Sequence, residues 1–451
     1  MALSKNSGRQ QTHRHRKIKS RLLPIVLVPV VLAVITAVAM GCFGTARQDK
    51  PGSGEAESEP PAGTGLVESA LPDALNPTSS NVPAESKEPE RTPNPLDSVA
   101  QSLLNSMSIE EKIYQLFIVT PEQLCDVSGT VTQAEPAAQT ALQRHPVGGV
   151  SFFSGNIQTP EQITRLIEDL QASSRLGLFI AVDEEGGIVA RLGNNPKMGT
   201  TVFPPMGRIG ASGDTENALN VGLTIGNELR QFGFNLNFAP VADVNSNPNN
   251  PVIANRSFSS NPQIAANMVA ACVSGFKESG VLCTLKHFPG HGDTETDSHY
   301  GVASSNKTIE ELWNCEFLPF QYGIAAGADM IMIGHISLPN VIGNDTPASL
   351  SYEITTGILR EQLGFDGLII TDSMVMEAIT NRFSSVDAAV QAIQAGADII
   401  LMPANIGDAV NGILDAVKSG ELTEKRIDES VYRILYTKLA HGIIPLPLGE
   451  Q

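Results

Sequence analysis

Eight short apolar runs between residues 115 and 403, most of them separated by amphipathic stretches, constrain the fold more than any other feature of the sequence. Nearly continuous apolar strands that alternate with helices indicate a parallel sheet whose outer face is covered. Eight such units predict an α/β fold of the (β/α)8, TIM-like barrel type, as one domain over residues 98–445. The runs are QLFIVT (115–120), VGGVSFF (147–153), LFIAVD (178–183), FNLNFAPV (234–241), VLCTLKHF (281–288), ADMIMIGHI (328–336), DGLIITDS (366–373) and ADIILMP (397–403).

Helical patterns occupy most of the intervals between these runs. TPEQITRLIEDLQASSR (159–175) and TIEELWNCEFLPFQYGIAAG (308–327) are two examples, and a capping box from Ser108 to Glu111 marks the first helix. A doubly wound open sheet is the alternative arrangement of the same elements. It is disfavoured because no GxGxxG motif follows the first run, and because a count of eight matches a closed barrel.

The amino-terminal 42 residues have the composition of an export signal. Residues 1–21 carry seven Lys or Arg and no acid, and residues 22–42 carry no charge. At about 20 residues, the apolar run could also span a bilayer as an uncleaved anchor. The sequence ending at Cys42 resembles a lipoprotein processing site, where Cys42 would be lipidated. Residues 1–42 are therefore predicted to be a signal peptide or membrane anchor, and the protein to be exported and tethered at the cell surface.

A linker is predicted between this segment and the barrel domain. Residues 43–97 are rich in Pro, Ser and Glu, with nine prolines and no aromatic residue after position 43. Such a segment cannot bury enough apolar surface to offset the entropy lost on ordering, so we expect it to be disordered.

The charge of the chain excludes some partners. The formal net charge is −18, and because the basic residues concentrate at the amino terminus, residues 22–451 hold 23 basic against 48 acidic side chains. Nucleic acid requires a basic face, so we expect no nucleic-acid partner. We also expect no membrane contact other than the amino-terminal anchor, and a monomer.

Ionisable residues lie at or just after the carboxyl ends of five of the eight runs, where a barrel of this type places its active site. They are Asp183, Glu184 and Glu185, then Asp243, then Lys286 and His287, then His335, and finally Asp372. Scattered solvated residues would not all follow the same end of the strands. The sequence therefore predicts an active site at the carboxyl ends of the strands, and hence a catalytic domain.

Metal binding is the first chemistry to weigh, because His287 and His291 are four residues apart. On a helix this spacing would place both rings on one face, as in zinc proteases. Pro289 and Gly290 lie between them and disfavour a helix, and the chain has no HExxH motif. We expect no metal and no other cofactor.

Carboxylate chemistry fits the same positions better. Asp372 ends an apolar run and could act as a nucleophile, although it could also cap the helix that follows. In DSH (297–299), Asp297 could orient the His299 ring for proton transfer, although an ordinary hydrogen-bonded loop is the alternative. A nucleophilic carboxylate with a general acid can break a glycosidic bond by double displacement.

Six motifs, in this order, resemble glycoside hydrolase family 3 and in particular its bacterial β-N-acetylglucosaminidases. They are AVDEEGGIVARL (181–192), FAPVADV (238–244), NRSF (255–258), KHFPGHGDT (286–294), DSH (297–299) and LGFDGLIITDSM (363–374). The resemblance implies a β/α barrel without a cofactor, and a retaining reaction that removes terminal β-linked sugars.

The resemblance also assigns roles to individual residues. It implies that Asp372 is the nucleophile and that His299, assisted by Asp297, is the general acid and base. The positions that match the family's sugar-binding residues are Asp183, Arg191, Arg256, Lys286 and His287. The sequence departs from the family at Ser373, where a second Asp is common, and after His299, where a Tyr replaces the usual Leu.

These implications lead to one predicted function and two alternatives. We expect an exo-acting, retaining β-N-acetylhexosaminidase that hydrolyses non-reducing terminal β-linked GlcNAc from peptidoglycan fragments or chitooligosaccharides, with a carbohydrate as its partner. Transfer of the sugar to phosphate instead of water stays open, because an imidazole repels an anionic acceptor less than a carboxylate does. The alternatives are a β-glucosidase or β-xylosidase of the same family, and a non-catalytic sugar-binding lipoprotein.

Overall fold

The computed structural model describes residues 94–134, 136–295, 301 and 303–446. The predicted signal or anchor segment with Cys42, nearly all of the predicted linker, and both Asp297 and His299 lie outside the described residues. Within the described ranges, no helix has both the length and the apolar character that are needed to cross a bilayer.

Eight parallel strands form a nearly closed barrel, as the eight apolar runs predict. Each run contains one strand, and consecutive strands are neighbours from β1 to β7. The last strand returns to the first, because Phe117 pairs with Ile400, and Ile370 bridges to Ile399 just ahead of β8. The strands are β1 (Phe117–Val119), β2 (Gly149–Phe152), β3 (Phe179–Val182), β4 (Leu236–Asn237), β5 (Leu282–Phe288), β6 (Met330–Ile333), β7 (Leu368–Thr371) and β8 (Ile400–Leu401).

Helices surround the strands, and a helix or helical turn follows each strand before the next begins. They are α1 (Pro95–Asn105), α2 (Ile109–Gln115), α3 (Pro121–Cys125), α4 (Pro136–Arg144), α5 (Pro160–Ser173), α6 (Met206–Gly210), α7 (Thr215–Gln231), α8 (Pro262–Ser279), α9 (Ile309–Asn314), α10 (Phe317–Ala326), α11 (Pro339–Ile342), α12 (Glu377–Thr380), α13 (Ser385–Ala395), α14 (Ile406–Ser419) and α15 (Glu424–Ala440), with a π-helical segment at Glu353–Gln362 and 3-10 turns at Ser154–Asn156, Ala254–Arg256 and Ala348–Leu350.

Two helical predictions have different outcomes. The pattern at 159–175 is confirmed as α5, and the capping box at Ser108 precedes α2 as expected. The pattern at 308–327 is not one helix, because the chain leaves helical geometry at Cys315 between α9 and α10. Pro319 explains the break, because proline lacks a backbone N–H group. The first turn of a new helix tolerates a missing N–H group, whereas the interior of a long helix does not.

The amino-terminal end of the barrel is covered by α15. Arg426 donates to Ala397 O, ahead of β8, at 2.8 Å, and Lys438 donates to Gln115 Oε1, ahead of β1, at 3.0 Å. Helix α1 packs on the other side of α15, where Tyr432 donates to Asp97 at 2.8 Å. This arrangement leaves the carboxyl ends of the strands as the open face of the barrel.

Lys438 is a fully buried lysine within this covering layer. Its Nζ donates to Gln115 Oε1 at 3.0 Å and to Gly177 O at 2.9 Å, and it lies 5.0 Å from the centroid of the Phe179 ring. Burial away from water lowers the pKa of this ammonium from 10.5 to about 7. Two acceptors match the two N–H groups of a neutral amine.

This lysine makes the stability of the fold depend on pH. Between pH 7 and 10.5 the unfolded chain binds a proton at Lys438 that the folded chain does not, so the free energy of unfolding rises with pH over this window. Relative to Lys438→Met, the native chain should gain up to about 1.4 kcal/mol per pH unit in urea unfolding. Parallel pH dependences of the two proteins would show that Lys438 keeps its charge inside the fold.

Candidate active site

A cavity of about 340 Å³ opens at the carboxyl ends of the strands, and seven of the eight strands or the segments that follow them contribute to its wall. Six residues that the sequence singles out lie on this wall: Asp183, Arg191, Arg256, Lys286, His287 and Asp372. A larger cavity of about 760 Å³ lies at the opposite end of the barrel, between α1 and α15. It has none of the strand-end groups, so the smaller cavity is the candidate active site.

Four charged side chains form a buried cluster on one wall of the cavity. The Lys286 ammonium lies 2.7 Å from Asp183 Oδ1 and 2.6 Å from Glu185 Oε1. Arg256 donates to both oxygens of Glu185, each at 2.8 Å. Lys286 thus meets two opposite charges at the end of its strand. Such fully bonded pairs fix the positions of their side chains, because breaking one would leave a buried charge without a partner.

Glu185 and Lys286 stay ionised near neutral pH. Burial opposes ionisation of Glu185, but the charges of Arg256 and Lys286 outweigh it and hold the pKa of this carboxyl well below its usual range. Burial likewise disfavours the charged form of Lys286, but Asp183 and Glu185 raise the pKa of its ammonium above the ordinary value. A ligand in the cavity therefore meets fixed charges of both signs.

A short hairpin brings Arg191 to the same wall. Residues Glu184–Gly186 pair with Val189–Ala190, and Arg191 Nη2 lies 3.5 Å from Asp183 Oδ2. The Glu184 carboxylate closes the hairpin from inside, accepting hydrogen bonds from the backbone N–H groups of Leu192 at 2.8 Å and of Gly193 at 2.9 Å. Burial raises the pKa of Glu184 to about 7, although these N–H groups oppose the shift.

The turn of this hairpin needs glycine. Gly186 and Gly187 have φ angles of 92° and 62°, in the region that residues with a Cβ rarely adopt. A Cβ on Gly187 would also come within 2.8 Å of Pro205 Cα. The glycines therefore allow the close backbone packing that places the hairpin beside the cavity.

His287 is held by a buried carboxylate. Its Nδ1 lies 2.8 Å from Asp243 Oδ2, and Asp243 also accepts the backbone N–H of His291 at 2.6 Å. Burial opposes ionisation of Asp243, but its interaction with His287 outweighs this and lowers the pKa of the carboxyl. Because a carboxylate can only accept, Nδ1 carries the proton, and Nε2 is the acceptor atom of a neutral His287 ring.

His291 belongs to the interior of the turn that follows β5. Its ring is buried, its Nδ1 lies 2.7 Å from Thr294 Oγ1, and it packs edge-on against the His287 ring with centroids 5.8 Å apart. Burial and the neighbouring His287 lower the pKa of His291. Within the described ranges, no three His, Cys, Asp or Glu side chains are grouped as metal ligands would be.

Asp372 lies directly after β7 and lines the same cavity as the charge cluster. Its backbone N–H donates to Ile333 O at 2.8 Å, and its Oδ1 accepts the N–H of Ser373 at 2.7 Å. The residue that caps α12 is Met376, so Asp372 does not have the helix-capping role that the sequence left open. Buried His335, whose Nε2 lies 3.0 Å from Ser373 O, supports this turn.

The structure thus brings together six of the predicted site residues. Asp297 and His299 lie outside the described residues, and the roles of all eight stay predictions. Sequence reasoning did not assign roles to Glu185 or Asp243, which form the most extensively bonded carboxylates of the site. Both follow predicted strands, so their positions were recorded, but only the fold shows that Glu185 bonds Arg256 and Lys286 and that Asp243 bonds His287.

Together, the barrel and the cavity with charged side chains at its open face define a (β/α)8-barrel enzyme with a small pocket. The chain belongs to glycoside hydrolase family 3, because the glycosyl hydrolase family 3 N-terminal domain matches residues 108–437. The resemblance seen in the six sequence motifs is therefore confirmed at the level of the family.

Individual relatives are similar over most of the barrel. The chain is 37% identical to β-hexosaminidase A of Pseudoalteromonas piscicida over 361 residues, which cover 72% of this chain and 59% of that protein. It is 36% identical to a β-hexosaminidase of Stenotrophomonas maltophilia (strain R551-3) over 299 residues, which cover 64% of this chain and 86% of the relative.

The fold is also similar to a solved structure, that of a glycoside hydrolase family 3 β-N-acetylglucosaminidase from Paenibacillus sp. str. FPU-7. The TM-score is 0.70 at 36% sequence identity, and the match covers 76% of this chain and 65% of the other. This chain thus spans less than two thirds of the lengths of the P. piscicida relative and the Paenibacillus protein.

Proposed function

We propose that this chain is an exo-acting, retaining β-N-acetylhexosaminidase that hydrolyses non-reducing terminal β-linked GlcNAc. The observation that carries the proposal is the position of Asp372, which lies in the same 340 Å³ cavity as the cluster of Asp183, Glu185, Lys286 and Arg256. A retaining glycosidase needs a nucleophilic carboxylate and a general acid and base at the anomeric carbon, and fixed polar groups in the same cavity can hold the sugar there. The names of the three similar proteins support the choice of sugar.

In the first step, an Asp372 oxygen attacks the anomeric carbon of the bound sugar as the bond to the leaving-group oxygen breaks. That oxygen takes a proton from the general acid, and a covalent glycosyl ester forms on Asp372. In the second step, water gives a proton to the same group and displaces Asp372, so the product keeps the β configuration. Asp372 requires no change in its own protonation, because it enters and leaves the cycle as a carboxylate.

The charge cluster holds the terminal sugar in this mechanism. Asp183 can accept hydrogen bonds from sugar hydroxyls, while Lys286, Arg191 and Arg256 can donate to the sugar oxygens. Fixed donors and acceptors orient the anomeric carbon toward Asp372 without reorganising during the reaction. The packed interior of the barrel closes the base of the cavity, so the rest of a bound glycan must extend out through the open face. Only a terminal sugar can then reach Asp372, which accounts for exo-action.

The proton transfers are assigned to His299 with the assistance of Asp297. His299→Ala should lower kcat/KM for chitobiose about 10²- to 10⁴-fold, because the departing sugar then leaves without a proton. The loss should be much smaller for 2,4-dinitrophenyl β-GlcNAc, whose leaving group needs no proton. Steady-state assays over a series of aryl glycosides would measure this dependence, and an equal loss for every leaving group would contradict the acid role.

The substrate class and location extend the proposal. Muropeptide fragments that end in GlcNAc or chitooligosaccharides would be cleaved outside the cell, by a monomer tethered through residues 1–42. Comparing turnover of GlcNAc-anhydroMurNAc and chitobiose would distinguish the two substrates. Parallel assays with β-glucoside and β-GlcNAc nitrophenyl substrates would test the sugar, because faster release from the glucoside, or binding without turnover, would overturn the proposed activity.

A further inference from the structure

A cluster of charged side chains outside the cavity joins the two ends of the segment 293–305. Asp293, which follows the turn after β5, accepts a hydrogen bond from Ser305 Oγ at 2.6 Å. The Lys307 ammonium lies 3.5 Å from the other oxygen of Asp293. The chain therefore leaves Asp293 and returns to it at Ser305, which fixes the separation of the two ends.

Glu316, at the start of α10, anchors this junction to the barrel. Its side chain is fully buried, it is paired with Lys307, and its Oε1 accepts a hydrogen bond from Ser246 Oγ at 2.8 Å. Among the described residues its Oε2 has no hydrogen-bond partner, so Lys307 supplies most of the compensation for this buried charge. The turn after β5 also lies against it, since a Cβ on Gly290 would come within 2.5 Å of Glu316 Cγ.

Backbone contacts also hold the two ends of the segment 293–305 against the barrel. On the outgoing side, Asn247 N–H donates to Gly292 O at 3.1 Å. On the returning side, Ala303–Ser304 pair in parallel with Ile336–Ser337, which follow β6. The stretch 294–304 is thus attached to the barrel at both ends, and in the sequence it contains Asp297 and His299.

We propose that Asp293, Ser305, Lys307 and Glu316, here called the clamp, position the segment that carries the general acid and base, with Lys307 as the central positioning residue. The inference rests on the proposed function, because it assigns the clamp an effect on proton transfer by His299. Proton transfer requires heavy atoms within about 2.6–3.2 Å, so a small displacement of the segment ends is enough to lower its rate. None of the four clamp residues belongs to the described wall of the cavity.

Lys307 keeps its charge near neutral pH. Burial lowers the pKa of Lys307, but the carboxylates of Glu316 and Asp293 outweigh it, so the pKa lies above the ordinary value of a lysine. The positioning effect should therefore be independent of pH near neutrality. A variant that breaks the clamp should change the rate without moving the pH optimum that the acid and base groups set.

The test compares leaving groups in Lys307→Met. We expect kcat/KM for chitobiose to fall about 10- to 100-fold, while kcat/KM for 2,4-dinitrophenyl β-GlcNAc falls less than about threefold. Lys307→Arg, which keeps the charge, should restore most of the loss. A merely structural role would lower both values by the same factor, through the fraction of folded protein, and that outcome would overturn the proposal.

Lys112→Met is the matched control. Lys112 is also a nearly buried lysine between two carboxylates, 3.0 Å from Glu424 and 2.7 Å from Asp428, but it lies at the amino-terminal end of the barrel. This variant should lose stability without changing the leaving-group dependence. If it changes that dependence as much as Lys307→Met does, the clamp has no specific role.

Two further variants keep the test decisive. Lys307→Met combined with Glu316→Gln removes the buried charge that could unfold the single variant, and Ser305→Ala removes one hydrogen bond of the clamp. Both variants should show a leaving-group dependence that is no larger than that of Lys307→Met. If neither variant shows it, the proposal is overturned. His299→Ala distinguishes failure of the proposed function from failure of the clamp proposal. If His299→Ala shows no leaving-group dependence, the acid role of His299 fails and the clamp proposal fails with it. If His299→Ala shows the dependence and the clamp variants do not, only the clamp proposal is refuted.

Discussion

The Asp372→Ala variant should release nitrophenol from its β-GlcNAc glycoside about 10⁴- to 10⁶-fold more slowly than the native protein, as when other covalent catalysts lose their nucleophile. Alanine cannot form the glycosyl ester, and among the described residues the cavity wall has no second carboxylate outside the ion cluster to replace it. Because Asp372 is only partly buried and lies after the strand rather than within it, the fold should survive. Initial rates and a thermal melt of both proteins would check the two parts of this expectation.

Asp366→Ala provides a control at the other end of the same strand. Asp366 precedes β7 and is exposed at the opposite end of the barrel, so its removal should leave the rate within about twofold of the native value. Trapping the sugar on the enzyme and mapping the modified peptide would identify the attacked residue directly. Undiminished activity in Asp372→Ala, or a sugar attached elsewhere, would refute the assignment of the nucleophile.

Replacing Lys286 by methionine should reduce the free energy of unfolding by about 3–5 kcal/mol, the usual effect of removing one member of a buried ion pair. In this variant Glu185 keeps its ion pair with Arg256 but loses the one with Lys286, and Asp183 loses its 2.7 Å ion pair with Lys286. Urea unfolding at pH 7 would measure the change. We also expect a higher KM, because the cavity loses a donor to the sugar oxygens.

The exposed Lys197 offers a comparison of the same chemical change outside the cluster. Lys197→Met should alter the free energy of unfolding by no more than about 0.5 kcal/mol. A similarly small change in Lys286→Met would show that the cluster contributes little to stability. Lys438→Met differs from both in the pH dependence described above, because Lys438 bonds only neutral acceptors among the described residues.

Hydrophobic periodicity was sufficient to predict the barrel, but not the lengths of its strands. The run FNLNFAPV contributes only Leu236 and Asn237 to β4, and Pro240 later in the run cannot donate a ladder hydrogen bond. Asn237 is fully buried even though it is polar, and its side chain bonds the backbone of Glu184 in both directions. Such pairing depends on the neighbouring strand, which no local pattern in the sequence specifies.

The site shows the same division between local and long-range information. The strand-end rule placed Asp183, Lys286 and Asp372 in one cavity, because it needs only the ends of the predicted strands. Three consecutive acids, at 183–185, look equivalent in the sequence, yet one closes a hairpin and two enter the ion cluster. Side-chain direction at the end of a strand decides these roles, and it follows from packing in three dimensions.

The position at which the chain enters the barrel domain has a practical consequence for immobilising the protein. Asn94, whose side chain donates to Tyr436 at 3.0 Å, begins α1 on the layer that covers the amino-terminal end. The candidate active-site cavity opens at the other end, so a bead or sensor chip coupled at Asn94 would face away from the cavity. Immobilised protein should therefore keep its kcat/KM for small soluble glycosides, whereas coupling through the rim of the open face should obstruct their diffusion into the cavity.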